Sequence, residues 1–563
     1  MHQRYRSIAL VSVLLSLTSF GTFASEPDWS EGIHITNPRS NPYSLSDEDF
    51  DRVRLAGLKH TLEYPVEISG SFVPWRPLKN FLDNPSTNPI RAILKAAFKG
   101  FTNIRSMDDL AGKLGLHSFP KNEAEGSLEI PMPREGAPKV RMGMTIIRKD
   151  SVDALTISCA ACHSSNLFGK RVLGLTNRFP RMNEFFVTGK KIVGLVPDEL
   201  FAASIGATAE ESALYAHFRT RLRSVGARTP IALGLDTSLA QVALSLAHRS
   251  DDEYASFDRK FERSPRPEKL SNYPSDSKPA VWWNLKYKNR WLSDGSVVSG
   301  NPVYTNFLWN EIGRGTDLHE LEDWLDKSRS VIEELTTAVF ASEAPRFTDF
   351  FPAERIDIDR AKQGEALFNV SCKKCHGIYV KNWSLPDSDR LTLSERLKTA
   401  EVRYLEKTPV INVGTDPHRR IGMESLERGL NPLAISKKNG ILIRAQQGYV
   451  PPPLVGIWAR FPYFHNNSVP NLCALLSRES ERPETYWSGE MRDPEKDFDS
   501  ECVGYPTGDK TPKEWKKNSE HLYDTAREGM SRSGHDERIF IKDGVEIFSK
   551  EQKRDLIEFL KTL

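Results

Sequence analysis

The sequence predicts a mainly α protein in two halves, each organised around one copy of the pentapeptide Cys-x-x-Cys-His. Three observations predict this. Stretches such as 207–223 and 318–341 repeat their apolar residues at helical spacing with few breakers. The pentapeptide occurs twice, about 210 residues apart, as Cys159-Ala-Ala-Cys162-His163 and Cys372-Lys-Lys-Cys375-His376. The chain ends on an amphipathic helix: Ser549-Lys-Glu-Gln552 is a capping box, and Leu556, Phe559, Leu560 and Leu563 follow at helical spacing.

The first residues read as an export signal. Arg4 and Arg6 precede an apolar run from Ile8 to about Leu17, and Thr22-Phe23-Ala24 offers small residues for cleavage. That apolar core is too short to span a bilayer, and no later segment approaches the required length. Residues 1–24 are therefore expected to be a signal peptide, with the mature protein in the periplasm or secreted and without a membrane span. The chain has 77 basic and 75 acidic residues; removing 1–24 takes away two arginines and no acid, leaving 75 of each. Charges so balanced and interspersed give no electrostatic reason to bind nucleic acid. The length exceeds what one core supports and predicts two domains, 25–345 and 346–563. No low-complexity tract or fixed-period repeat is present.

Cys-x-x-Cys-His is the attachment sequence of c-type haem. Its thiols, one helical turn apart, add to the two vinyl groups of the porphyrin, and the adjacent histidine becomes an axial ligand of the iron. The competing readings are a thioredoxin-like dithiol and half of a zinc site. Neither requires the following histidine twice, and zinc needs four ligands close together. Two haems c are thus expected, one on Cys159 and Cys162 with His163 as axial ligand, the other on Cys372 and Cys375 with His376. Nothing in the sequence supports a calcium site.

The second pentapeptide has further support. Ala361-Lys-Gln-Gly364-Glu-Ala-Leu367-Phe368 resembles the first helix of class I cytochromes c, where the glycine permits a close helix crossing and the aromatic packs near the porphyrin. The ending Leu556-Ile-Glu-Phe559-Leu560-Lys-Thr-Leu563 resembles the C-terminal helix that crosses it. Residues 346–563 therefore read as a cytochrome c domain with an enlarged middle. In the N-terminal half, two blocks at roughly 25–140 and 205–345 exceed what a small cytochrome domain needs. Arg263-Ser-Pro-Arg-Pro267 and Tyr273-Pro-Ser-Asp-Ser-Lys-Pro279 mark loops within the second block. The expected architecture is two cytochrome c-like haem domains with large insertions in the N-terminal half.

Two such motifs at this spacing in an exported chain resemble the dihaem cytochrome c peroxidase superfamily, which includes the dihaem enzyme that matures the methylamine dehydrogenase cofactor. The stretch Pro451-Pro-Pro-Leu-Val-Gly-Ile-Trp458-Ala-Arg460-Phe-Pro-Tyr463-Phe-His465-Asn-Asn-Ser-Val-Pro470 is similar to a family segment ending in a Pro-Tyr-hydrophobic-His-Asn/Asp-Gly signature, with Asn467 in place of the usual glycine. Gly70-Ser-Phe-Val-Pro74, Val281-Trp-Trp-Asn-Leu-Lys-Tyr-Lys-Asn289 and Arg532-Ser-Gly-His535 resemble the long branch typified by extracellular rubber oxygenases, to which dihaem fatty-acid dioxygenases are similar.

The resemblance implies that one haem has two protein ligands and relays electrons while the other keeps an open face for dioxygen or peroxide. It implies His535 as the second ligand opposite His376, with Met530 and Met491 as alternatives and a surface loop as the other reading of His535. Over the first haem, Ala232 in Arg228-Thr-Pro-Ile-Ala232 stands where peroxidases carry a distal glutamate; Asp236, Glu210 and Glu211 are the alternative carboxylates. Trp282 or Trp283, by resemblance Trp283, is a candidate relay between the haems, with core packing the alternative. Cys473 and Cys502 are a disulfide candidate in an oxidising compartment.

The preferred activity is an oxygen-activating dioxygenase acting on an apolar unsaturated small molecule or polymer, a fatty acid or isoprenoid. The alternatives are a peroxidase that reduces hydrogen peroxide with electrons from a small cytochrome or cupredoxin, and a non-catalytic electron-transfer cytochrome.

Overall fold

The computed structural model describes residues 26–563, so the signal peptide expected over 1–24 lies outside the described residues. Helices make up 43% and strands 11%, which makes the protein mainly α.

In the C-terminal half, the helix Ile358–Ser371 begins where the Asp357 carboxylate caps the backbone N–H groups of Asp359 and Arg360. It buries Ala361, Gly364 and Phe368, one stripe at helical spacing. That stripe meets the last helix, Lys550–Lys561, which starts on the Ser549–Gln552 capping box with both reciprocal bonds formed. Gly364 sits at the crossing: a Cβ there would run into the Asp555 carbonyl and lie 2.9 Å from Phe559 Cβ. Phe368 then packs on Phe559 with ring centroids 5.2 Å apart. The first helix ends at Cys372, the short helix Lys373–His376 completes the pentapeptide, and Gly377 stops it at φ +83°.

The N-terminal half repeats the device. Helix Asp47–Leu62 crosses helix Arg329–Ala341 at Gly57, where a Cβ would meet the Glu334 carbonyl and lie 2.8 Å from Ala338 Cβ. Between these helices in sequence comes a three-stranded antiparallel sheet of Val73–Pro74, Val152–Ile157 and Met144–Lys149, in that spatial order. The last two strands join through Asp150 and Ser151, both at positive φ (+44° and +68°), the two-residue hairpin geometry that suits strand twist. Strand Val152–Ile157 runs straight into Ser158 and the first pentapeptide.

The cores do not follow the halves of the sequence. One core combines residues beyond 346 with Leu167, Val172, Leu175, Leu235, Val281 and Trp283. Another gathers N-terminal helices together with Met423, Leu426, Leu430, Ile435 and Ile443. Helix His418–Leu430 packs on helix Leu239–Ala247, and strand Leu442–Ile443 pairs with Val297–Ser299. The middle of the C-terminal half is thus folded into the N-terminal half. No helix among the described residues is long and apolar enough to cross a membrane.

Candidate functional site

Both pentapeptides open onto one cavity of about 510 Å³, lined by Cys159, Cys162 and His163 and by Cys372, Cys375, His376 and His535. Removal from water pushes the Cys159 thiol up to about 11 and Cys372 to about 12, and raises Cys162 and Cys375 as well. Burial thus favours the protonated thiols over the thiolate that an activated redox dithiol requires.

Around the second pentapeptide the histidines are oriented by main chain. His376 Nδ1 donates to the Pro452 carbonyl at 2.8 Å, which leaves Nε2 with its lone pair free for a ligand. The His535 ring faces it, with centroids 6.3 Å apart and planes at 60°. That separation suits two imidazoles bound at about 2.0 Å to opposite sides of one metal ion. His535 is held there by its own N–H on the Val413 carbonyl (2.8 Å) and sits at φ +62°, a left-handed backbone that histidine rarely adopts. Gly534 makes this approach feasible, because a Cβ on it would strike Gly414 and Thr415. Desolvation pulls His376 down to about 4 and His535 to about 3, so both rings are neutral, and Nδ1 of His535 is buried without a partner. Two neutral thiols one turn apart and two neutral imidazoles on opposite sides of one gap form a donor set that fits haem c.

Neither methionine alternative reaches this site. Met530 is buried with its sulfur accepting from the Tyr523 hydroxyl at 3.2 Å, and Met491 is buried with its carbonyl accepting from Phe168 N at 2.8 Å. Neither lines the cavity.

Around the first pentapeptide the walls are mostly apolar, with Met182, Phe186, Leu239, Val303, Phe307 and Val339 among them. The His163 ring lies against Trp282 at 5.5 Å, and desolvation lowers it to about 4. Asp236 is the one carboxylate among the described lining residues. It sits at the start of helix Met182–Leu195, accepting from Asn183 N at 3.2 Å and from the Asn183 side-chain amide. Burial raises it to about 7, against the opposing pull of those bonds. A second buried network stands nearby: the Tyr64 hydroxyl donates to Glu311, Thr316 Oγ1 donates to the same carboxylate at 2.5 Å, and the Arg314 guanidinium stacks over the Tyr64 ring at 4.1 Å. Tyr64 and Arg314 both line the cavity.

The structure does not bring every expected residue here. Ala232 is not among the lining residues; with Ile231 it packs against the core of the C-terminal half, so the apolar residue expected above the first pentapeptide is a different one. Glu211 is engaged by Arg76 and Glu210 is exposed, both away from the cavity. Trp283 is fully buried in the larger core, its Nε1 donating to the Val455 carbonyl at 2.9 Å, while Trp282 is the tryptophan on the cavity wall. Cys473 and Cys502 form a disulfide with Cα atoms 5.0 Å apart. Asn467 has φ +61°, which explains how asparagine stands at the usual glycine of that signature, since asparagine tolerates this backbone best after glycine. His465, within that signature, lines the cavity, stacked on Tyr449 at 4.2 Å.

A family described as RoxA-like, cytochrome c-like matches residues 448–488. This segment contains Pro452, Arg460, Tyr463, His465 and Cys473. A cytochrome c-like domain implies haem c with its iron, and the match points to a haem-dependent oxidoreductase. The chain is 25% identical over 512 residues to the uncharacterized protein y4iJ of Sinorhizobium fredii (strain NBRC 101917 / NGR234), covering 77% of this chain and 78% of that one. It is 28% identical over 335 residues to y4iM of the same strain, covering 54% of this chain and 68% of that protein.

Proposed function

We propose that the chain is an exported dihaem oxidoreductase of the rubber-oxygenase type, with haem c on Cys159 and Cys162 and on Cys372 and Cys375. The observation that carries this is the shared cavity, in which one pentapeptide faces a second histidine and the other faces an apolar space. His376 and His535 would hold the second haem, and His163 the first, where the apolar lining leaves room for a substrate. A haem with an open face supplies activation of dioxygen or peroxide at its iron. The chain's own residues supply the rest. The apolar walls bind an apolar substrate and exclude water, and the pair of glycine crossings gives each half a cytochrome-like frame. Trp282, against His163 on the cavity wall, is the candidate electron relay.

The proposed reaction is oxygenation of a carbon–carbon double bond in a fatty acid or isoprenoid. The purified protein should consume oxygen with oleate or a polyisoprene emulsion, without added peroxide or reductant, and leave stearate untouched. No oxygen uptake together with fast peroxide reduction by a small cytochrome would replace this reading with peroxide reduction. Asp236 favours that second reading, because a carboxyl near neutrality inside the cavity is suited to acid–base work on peroxide. Its bonds to Asn183 instead occupy it at a helix N-terminus. Asp236→Asn therefore separates the two: peroxide turnover collapses only if the carboxyl is the acid–base group.

A further inference from the structure

The wall between the two pentapeptides concentrates positive charge. Lys278, Lys288 and Arg460 all line the cavity, and none has a carboxylate within ion-pair distance among the described residues. The other cavity-lining arginines differ: Arg314 pairs with Glu311 and Arg419 with Asp294, both at 3.5 Å. Lys278 Nζ donates only to the main-chain carbonyls of Arg460 (3.1 Å) and Pro462, and Arg460 Nη1 to the Pro453 carbonyl at 2.7 Å. Lys288 is buried, and no acceptor among the described residues engages its ammonium. The three repel one another across Arg460; desolvation first, then Arg460, pulls Lys288 down to about 8 and Lys278 well below its usual range. The place is set by sequence neighbours: Lys278 is two residues from Ala280, which faces His163, and Arg460 is anchored next to Pro452, which orients His376. Asp236, the one carboxylate among the described lining residues, stands with Asn183 beside Cys162 and pairs with none of the three.

Desolvating adjacent cations without an anion is strongly unfavourable, and a fold retains such a cluster when an anion completes it. Main-chain carbonyls fix where the Lys278 and Arg460 charges point, leaving their remaining donors to the cavity. We infer that Lys278, Lys288 and Arg460 form a carboxylate-binding site on the wall between the two pentapeptides. The carboxylate belongs either to a buried macrocycle, which carries two such groups, or to the head of a fatty-acid substrate. The first source rests on the haem reading proposed above; the second does not.

The test uses the holoprotein, after its haem content is measured, with Lys288→Met, Lys278→Met and the charge-conserving Lys288→Arg. One arm is a spectroelectrochemical titration of both haems. The other is equilibrium dialysis against oleate and against oleyl alcohol, which has the same chain without the carboxylate. With the macrocycle as source, each Met variant moves one haem midpoint to more negative values, Lys288→Arg restores it, and the oleate preference matches wild type. With the fatty acid as source, wild type binds oleate roughly tenfold more tightly than the alcohol, and the Met variants abolish that preference while the midpoints stay put. The inference is overturned if midpoints and preference are both unchanged in the two Met variants. A protein without haem would sink the haem reading while leaving the dialysis arm to decide this one.

Discussion

Replacing Gly364 with alanine is the sharpest test of how the second site is framed. The added methyl would be driven into the Asp555 carbonyl and sit 2.9 Å from Phe559 Cβ, inside the 3.0 Å that real Cβ contacts keep. Because the obstacle is main chain of a helix, no rotamer change relieves it, and the helices must part by roughly 1 Å in a core packed near crystal density. Overpacking costs about 1–3 kcal/mol, and a main-chain obstacle places this case at the upper end, about 3 kcal/mol. In a cooperative unit of about 150–250 residues that lowers Tm by roughly 6–12 °C, and by less where the interleaved halves melt together. Parting the helices also moves Phe368 off Phe559 and shifts Cys372, at the end of the same helix, relative to His535. Gly100→Ala is the control: nothing lies within 4 Å of its Cβ, and alanine in a helix is better than glycine by about 0.5–1 kcal/mol. Differential scanning calorimetry of both variants decides the matter. If Gly364→Ala melts with the wild type, the crossing is not the tight contact described and the cytochrome-like frame loses its main support.

Three further outcomes are expected. Changing Cys159 and Cys162 to Ala, or Cys372 and Cys375 to Ala, should halve the covalent haem measured by pyridine haemochrome, whereas an unchanged value would reject attachment at that pair. His535→Ala should convert one haem from low to high spin in the electronic and EPR spectra while leaving the other unaltered; a persistent low-spin signal would return His535 to a structural role. Asp236 has its folded pKa raised from 3.8 to about 7, so the fold binds that proton more tightly than the unfolded chain, and stability falls as pH rises from about 4 to about 7. Asp236→Asn should remove about 3 kcal/mol of that decline between pH 4.5 and 7.5, read from urea unfolding curves at the two pH values, and an identical pH profile in the variant would show that the carboxyl is not desolvated.

What the sequence disclosed was local. The pentapeptides, the Ser549–Gln552 capping box and the glycine of Gly364–Phe368 are short patterns whose physics is complete within one helix or one turn, and the structure places each in such an element. The similar helix crossing at Gly57 is not legible in the sequence, because some hundred residues separate it from Cys159 and no nearby motif marks that helix. The capture of 418–443 by the other half escaped for a similar reason. Apolar residues such as Met423 and Leu426 announce burial but not the partner that buries them. The resemblance points to Ala232 by position, while the cavity is lined four residues later by Asp236, an offset within an irregular loop that pattern alone does not resolve. His535 was nominated by resemblance, and its left-handed backbone next to Gly534 is a property no residue-type count reveals.

The segment that opens the matched family region shows why the two sites are built as one. Pro451, Pro452 and Pro453 are consecutive, so three successive residues lack an N–H and cannot enter a helix or a central strand. Their carbonyls are therefore left for side chains, and each takes a different one. Pro451 accepts from the Tyr404 hydroxyl at 2.5 Å, Pro452 pairs with His376 Nδ1, and Pro453 accepts from Asn284 at 3.1 Å and from Arg460 at 2.7 Å. Two residues on, the Val455 carbonyl receives Trp283 Nε1, and Gly456 leaves room for that indole, since a Cβ there would lie 3.3 Å from it. A short rigid strip thus fixes a histidine of the second site, a cation of the dividing wall and the tryptophan-bearing segment of the first. Moving any one of them requires moving the strip, so the geometry of the two sites is mechanically coupled through main chain, without either needing to touch the other.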